Sequence, residues 1–203
     1  MRGKFVRKTV GLLGGSFNPA HDGHRYISVQ ALKLLKLDEI WWLVSPLNPL
    51  KQAKDMASYE RRLESARTAA CHPRIKVSNI EREIGTHYTF DTISKLKEMY
   101  PDICFVWLMG ADNLLEFHHW HRWRSIMRLV PIAIFDRKNY APKALCSAAA
   151  RLFHFYRLPH EKAADLAFQR PPAWMFLPIR KHPASATEIR QKGLFQTGEE
   201  ECP

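Results

Sequence analysis

Short apolar runs with strand character alternate with helix-period patterns along almost the whole chain, and this alternation restricts the fold more than any other feature. "TVGLLGG" (residues 9–15) is the first run. "GHRYISVQALKLLKL" follows with Ile27, Ala31, Leu34 and Leu35 at helical spacing. "EIWWLVSP" (39–46) is a second strand closed by Pro46, "SYERRLESARTAACH" (58–72) a helix, and "RIKVSNIE" (74–81) a third strand. "TISKLKEMY" (92–100) reads as a helix ended by Pro101, and "ICFVWLMG" (103–110) as a fourth strand, apolar enough to be buried on both faces. After a mixed segment (111–130) come a fifth strand "PIAIFD" (131–136), a helical "PKALCSAAARLFHFY" (142–156), a short last strand "AWMFLP" (173–178) and a short helix "SATEIRQKG" (185–193).

Strands separated by helices predict an α/β fold, a Rossmann-like doubly wound parallel sheet with helices on both faces. We expect a single domain over residues 1–203, with the last helix around 185–193 and a frayed end over 194–203. Residues 139–172 are the hardest to place. In such sheets ligands bind beyond the carboxyl ends of the strands, where the strand order reverses, so the loops after the strands hold the candidate site.

Bulk properties exclude little. The net charge of +11, from 31 Lys and Arg against 20 Asp and Glu, favours an anionic partner, which a nucleotide satisfies as well as a nucleic acid. The charges are scattered, without an RNP1-type motif or recognition-helix stripe, so no nucleic acid is expected. No window approaches the roughly 18 apolar residues of a membrane span, and the basic start "MRGKFVRK" precedes a run too short for a signal peptide. A cytoplasmic protein is expected. Cys71, Cys104, Cys146 and Cys202 lack C-x-x-C spacing, so neither a disulfide framework nor a zinc knuckle is expected. His118 and His121 could share a helical face, but no cysteine or carboxylate is spaced to complete a zinc site.

The first loop carries the chemistry. "GGSFNPAHDGH" (14–24) follows a strand and opens a helix, yet it is neither G-x-G-x-x-G nor a Walker loop. Gly14 and Gly15 would let the backbone approach a ligand. His21 and His24, three residues apart, face the same way at a helix N-terminus, where free N–H groups and the dipole favour anions.

This loop resembles the H-x-G-H signature of the nucleotidyltransferase superfamily, and in particular that of bacterial nicotinate-nucleotide adenylyltransferases, G-G-[ST]-F-[DN]-P-x-H-x-G-H. "ASATEIR" (184–190) is similar to the family's phosphate-binding [IL]-S-S-T-x-[IL]-R; Ser185, Thr187, Ile189 and Arg190 match, whereas Ala184 and Ala186 depart from it. Ser185 and Glu188 also have capping-box spacing. "MGADNLLEFHHWHRW" (109–123) resembles the G-x-D…F-x-x-W segment, in which Gly110 and Asp112 border the adenosine and Trp120 matches an aromatic stacked on the pyridine ring, with Trp123 as a competitor. "THYTFDTI" (86–93) resembles the segment lining the nicotinate mononucleotide pocket, making Thr86, Tyr88, Thr89, Asp91 and Thr92 candidates; Asp91 also suits a helix cap. "SPLNPLK" (45–51) resembles P-x-x-P-x-K, with Lys51 on the phosphate side and Leu50 where many members have His.

The resemblance implies an enzyme that joins ATP to nicotinate mononucleotide and releases pyrophosphate, a step of NAD biosynthesis. It places ATP against Gly14, Gly15, Ser16, Phe17, His21, His24, Gly110, Asp112, Ser185, Thr187 and Arg190. It places nicotinate mononucleotide against Asn18, Lys51, Tyr88, Thr89, Thr92, Trp120 and His121, with backbone N–H groups there and around Trp120 holding the carboxylate. His24, His21, Arg190 and Lys51 would stabilise the charge of the transition state, with Mg²⁺ bound mainly through substrate phosphates and water. The alternatives are another H-x-G-H enzyme, such as a pantetheine-phosphate adenylyltransferase, or a basic nucleic-acid-binding domain. Oligomeric state is not readable from the sequence.

Overall fold

The computed structural model describes residues 7–46, 56–136, 140–180 and 182–195. Lys51, Leu50 and the end of the chain expected to fray from 196 onward lie outside the described residues. Six strands form one sheet: β1 (Lys8–Gly15), β2 (Glu39–Val44), β3 (Ile75–Ser78), β4 (Ile103–Gly110), β5 (Ile132–Phe135) and β6 (Trp174–Leu177). Every pairing is parallel, in the order β3-β2-β1-β4-β5-β6. The chain winds outward from β1 to β3, then returns to start β4 on the other side of β1. The reversal of order therefore falls between β1 and β4, and the crevice it opens lies at Gly15 and Gly110.

Side-chain alternation divides the core into two layers. Leu13 of β1 packs with Ile27, Ala31, Trp42, Ala66 and Leu166 on one face. Val10 and Leu12 pack with Ile93, Leu96, Phe117 and Ile126 on the other. Helices α1 (Asp22–Leu34) and α2 (Tyr59–Ala69) and a 3₁₀ stretch (His160–Phe168) cover the first face. The second is covered by α4 (Thr89–Met99), α5 (Ala111–Glu116), α6 (Trp123–Leu129) and α8 (Ala148–Leu152). Each large apolar side chain taken wholly out of water contributes roughly 1.5–3 kcal/mol, which makes the strands of both layers the rigid base of the site.

Boundaries differ from the sequence expectation where polar side chains intervene. The first helix stops at Leu34 because Lys36 adopts a left-handed φ of 53°. The third strand ends at Ser78, whose hydroxyl accepts the Ile80 N–H, and α3 (Ile80–Glu83) takes the rest of "RIKVSNIE". The mixed segment resolves into α5, a 3₁₀ turn (Phe117–His119) and α6. The expected helix over 142–156 is broken into α7 (Ala141–Leu145), α8 and a 3₁₀ turn (His154–Tyr156), because Ser147 accepts the Ala150 N–H and starts a new helix.

Candidate active site at the strand ends

The loop after β1 is fixed from several sides. Phe17 has a left-handed φ of 47° and is only 2% exposed. Its ring stacks on Trp42 at 5.1 Å and lies 4.9 Å from His24. The Phe17 side chain is therefore a platform beneath the loop, which leaves only its main chain for the ATP contact expected of it. The Asn18 side-chain oxygen accepts the Ala57 N–H, which turns that end of the amide away from the nucleotide role expected for it. The Ala20 N–H donates to Ser65. Gly14 also departs from expectation. A Cβ there would stand 2.4 Å from Trp107, so its missing side chain serves ring packing rather than ligand approach. At Gly15 a Cβ would meet only the Phe17 ring, at an ordinary 3.6 Å.

His21 and His24 form a reciprocal cap on α1. His21 Nδ1 accepts the Gly23 N–H at 3.1 Å, and His24 Nδ1 accepts the His21 N–H at 3.2 Å. Because both Nδ1 atoms accept, the neutral rings carry their protons on Nε2. The cap thus fixes the tautomer that can donate to an anion. The rings lie 4.0 Å apart, side by side at the start of α1.

The far end of the chain returns to this loop. Arg190, in α9 (Ala186–Gln191), donates to the Asn18 carbonyl. His182 packs on Tyr26 at 5.3 Å, and the Ala184 carbonyl lies over Gly23, 3.4 Å from where a Cβ would be. Ser185 is the N-cap of α9, but its side chain makes no cap bond, so the expected capping box with Glu188 is not formed. Thr187 sits in the first turn of that helix. Between α1 and the ends of β5 and β6 lies a crevice bordered by Tyr26, Ile27, Ile179 and Arg180. Asp136 closes it, with a buried Oδ1 that has no partner among the described residues. A buried carboxylate oxygen of this kind can accept an N–H or a water that enters the crevice.

The second half of the candidate site follows β4. Gly110 is the N-cap of α5 and Asp112 lies in its first turn. Trp120 is half-buried, edge-on to Phe117 at 5.1 Å and to Trp107 at 6.3 Å, and Trp107 is the ring that fills the space beside Gly14. Trp123 instead meets Phe153 at 6.0 Å, on the side of α8. Of the two tryptophans, Trp120 is the one beside the strand-order reversal. Segments 86–92 and 117–123 meet as expected: Tyr88 packs on His121 at 4.5 Å, and the Arg122 guanidinium lies 3.9 Å from the Phe90 ring centre. His118 and His121 do not share a helical face, since the 3₁₀ turn ends at His119 and Trp120 is extended. Among the described residues no three His, Cys, Asp or Glu side chains converge on a metal position.

Within 86–92 two expectations are corrected. Helix α4 begins at Thr89, so Asp91 lies in its first turn, where it favours the dipole but caps nothing. Thr92 is fully buried rather than facing a ligand. Its hydroxyl lies 3.1 Å from Glu81, 3.0 Å from Thr86 Oγ1 and 3.2 Å from the Tyr88 carbonyl, with one proton to share among them.

Glu81 was not legible as part of this pocket. Burial pushes its carboxyl up to about 7, although Thr92 and Ser45 donate to it and oppose the rise. A raised acid favours the fold most when protonated. The contribution is complete below about pH 4.5 and is lost as pH rises through about 7, a change on the order of 2–3 kcal/mol. Glu81→Gln should therefore unfold at higher denaturant than the parent at about pH 8.5, and at nearly the same midpoint at about pH 5. Equal midpoints at both pH values would refute this account.

Comparison with known proteins agrees with the geometry. The cytidylyltransferase-like family profile matches residues 12–192. A protein of Ruegeria sp. (strain TM1040) named "Probable nicotinate-nucleotide adenylyltransferase" is 48% identical over 187 residues, 92% of this chain and 98% of its own. A protein of the same name from Parvibaculum lavamentivorans is 50% identical over 184 residues, 91% and 92% of the two chains. The Plasmodium falciparum nicotinic acid mononucleotide adenylyltransferase complexed with NaAD shares the fold, with a TM-score of 0.65 at 17% identity over 91% of this chain and 83% of that one. Among the described residues no helix is long and apolar enough to cross a membrane. The chain is a member of the nicotinate-nucleotide adenylyltransferase family, within the cytidylyltransferase-like nucleotidyltransferases.

Proposed function

We propose that this chain transfers the adenylyl group of ATP to nicotinate mononucleotide, giving nicotinate adenine dinucleotide and pyrophosphate. The observation that carries the reading is the convergence of the two end motifs at the strand-order reversal. The Arg190 guanidinium and the Ala184 carbonyl meet the loop and helix start that present His21 and His24.

In the reaction a phosphate oxygen of the mononucleotide bonds to the α-phosphorus of ATP, and the bond from that phosphorus to the bridging oxygen breaks in line. Pyrophosphate leaves with the electron pair. The protein need not form a covalent intermediate; its part is to hold both phosphates and to stabilise the charge that builds between them. His21 and His24 donate from Nε2. Arg190 exchanges the Asn18 carbonyl for phosphate oxygens, a stronger partner for a forked cation. Lys51 is assigned to the phosphate side of the acceptor. Ser185, Thr187 and the N–H groups of the α9 start face the donor's phosphates. Gly110 and Asp112 border its ribose, and the crevice closed by Asp136 takes the base, whose exocyclic amine suits the buried carboxylate oxygen.

The donor set at the histidines and Arg190 is N–H rather than carboxylate, so Mg²⁺ is assigned to the substrates' own phosphate oxygens and water. There it would neutralise charge on the leaving pyrophosphate. The acceptor's pyridine ring is assigned to the Trp120 face, with its carboxylate toward the N–H groups near Tyr88 and His121.

The acceptor assignment is tested by pyrophosphate release with ATP and Mg²⁺, offering nicotinate or nicotinamide mononucleotide. A site built to receive a carboxylate should prefer the nicotinate form by at least about 10²-fold in kcat/KM, because the neutral amide leaves its donors poorly paired. Equal use would remove the carboxylate-reading pocket but keep the reaction. Turnover with pantetheine phosphate alone would replace the acceptor.

A further inference from the structure

Arg62 lies on the core-facing side of α2 and is 1% exposed. Its guanidinium makes four hydrogen bonds, all to main-chain carbonyls. Nε donates to Ala57 (3.1 Å), Nη1 to Ser16 (2.8 Å) and Ser45 (2.7 Å), and Nη2 to Pro46 (2.9 Å). These carbonyls belong to three separate segments: the loop beside the histidines, the loop after β2, and the approach to α2. A rigid planar fork that engages all three fixes their spacing in a way a flexible ammonium cannot.

The polar packing continues beyond Ser45. Its hydroxyl donates to the Glu81 carboxyl, which also receives the Thr92 hydroxyl. The Glu81 carbonyl in turn accepts the Thr86 N–H at 2.9 Å. A buried polar chain thus runs from Ser16 through Arg62, Ser45 and Glu81 to Thr86 and Thr92. One end is the loop assigned to ATP. The other is the segment assigned to the acceptor.

We propose that Arg62 is a positioning residue for adenylyl transfer, one that sets the spacing between the ATP loop and the acceptor segment through this buried chain, with Glu81 anchoring the acceptor side. The inference rests on that assignment of the two segments. Neither side chain touches substrate. Each substrate's affinity depends on its own segment, whereas in-line attack depends on the distance between them. A misplacement of about 1 Å costs roughly 10²-fold in rate. Disturbing the chain therefore lowers kcat much more than it raises either KM.

Arg62→Lys is the variant to measure first, since it keeps the stem and charge but loses the fork; Arg62→Met, which removes the guanidinium donors from all four carbonyls, is the severe form. In Arg62→Lys, kcat should fall by roughly 10–10²-fold while both KM values stay within about threefold of the parent. Hydrogen exchange supplies a readout that does not depend on the acceptor. Protection of the Ala20 and Ser45 amides, bonded to Ser65 and to the Gly15 carbonyl, should fall together with that of Thr86. Unchanged kcat with only a lowered melting temperature would make Arg62 merely structural and overturn the proposal. So would a rise in KM alone, which would signal direct ligand contact, or loss of protection confined to the ATP loop. If the parent itself fails to use nicotinate mononucleotide while the amides still respond together, the acceptor assignment falls and the coupling stands.

Discussion

Gly23→Ala is expected to lower kcat/KM by roughly 10²-fold while leaving the fold about as stable as before. The new Cβ would stand 2.8 Å from both Cε1 and Nδ1 of His21, closer than such atoms approach. His21 cannot easily give way, because it is 7% exposed and its ring lies 4.0 Å from that of His24. The ring must leave the Gly23 N–H, and with that bond goes the constraint that keeps the proton on Nε2. Stability moves the other way, if it moves. Alanine is favoured over glycine in a helix by up to about 1 kcal/mol, less near an end, which offsets a lost cap bond of similar size. The expected signature is a protein that melts within a few degrees of the parent and scarcely turns over. Activity within about threefold of the parent would show that His21 is not held by this bond in the working enzyme. The glycine of H-x-G-H is thus explained by the histidine beside it rather than by backbone freedom.

The sheet was legible in the sequence because buried parallel strands are short and continuously apolar, and each is followed by a helix-period segment. "ICFVWLMG" shows this best: from Phe105 onward all of β4 is buried. Even "AWMFLP", isolated near the end, found its place at the sheet edge. Boundaries failed where a single hydroxyl decided them, as at Ser78 and Ser147, because local capping is decided by side-chain geometry that periodicity does not encode. In the candidate site, His21, His24, Arg190 and Trp120 were singled out through motif spacing, and the structure brings the first three together. Phe17, Asn18 and Thr92 carried the same motif signal, yet their side chains pack against or bond to the protein itself. A motif marks a residue as required, but requirement by the loop's own packing looks the same in sequence as requirement by the ligand.

Arg62 and Glu81 were missed because each belongs to no motif. A signal was nevertheless present. In "YERRLESARTA" the buried Ala66 lies one turn beyond Arg62, so an arginine occupies a core position of an amphipathic helix. A cation there has to find acceptors inside, and the sequence could not say that they would be carbonyls of three different segments.

The other large effect concerns His24. Its Nδ1 closes the cap on His21, and in the proposed reaction its Nε2 donates to phosphate, so its removal should act on stability and on catalysis at once. The two can be separated by size. A lost cap costs on the order of 1 kcal/mol, whereas losing one donor to a developing oxyanion costs roughly 10²–10³-fold in kcat, about 3–4 kcal/mol. His24→Ala should show both. His24→Gln should restore most of the stability, because glutamine at this position accepts the N-cap N–H in the manner of a capping box. It should not restore kcat, since a side chain folded back on the cap no longer places a donor where Nε2 was. The measurement is a pair of denaturation midpoints beside the pyrophosphate-release rates of the parent and both variants. Recovery of rate together with stability in His24→Gln would mean that His24 serves the reaction only by ordering the helix start. Recovery of stability alone would leave the His24 Nε2–H as the group that the reaction needs.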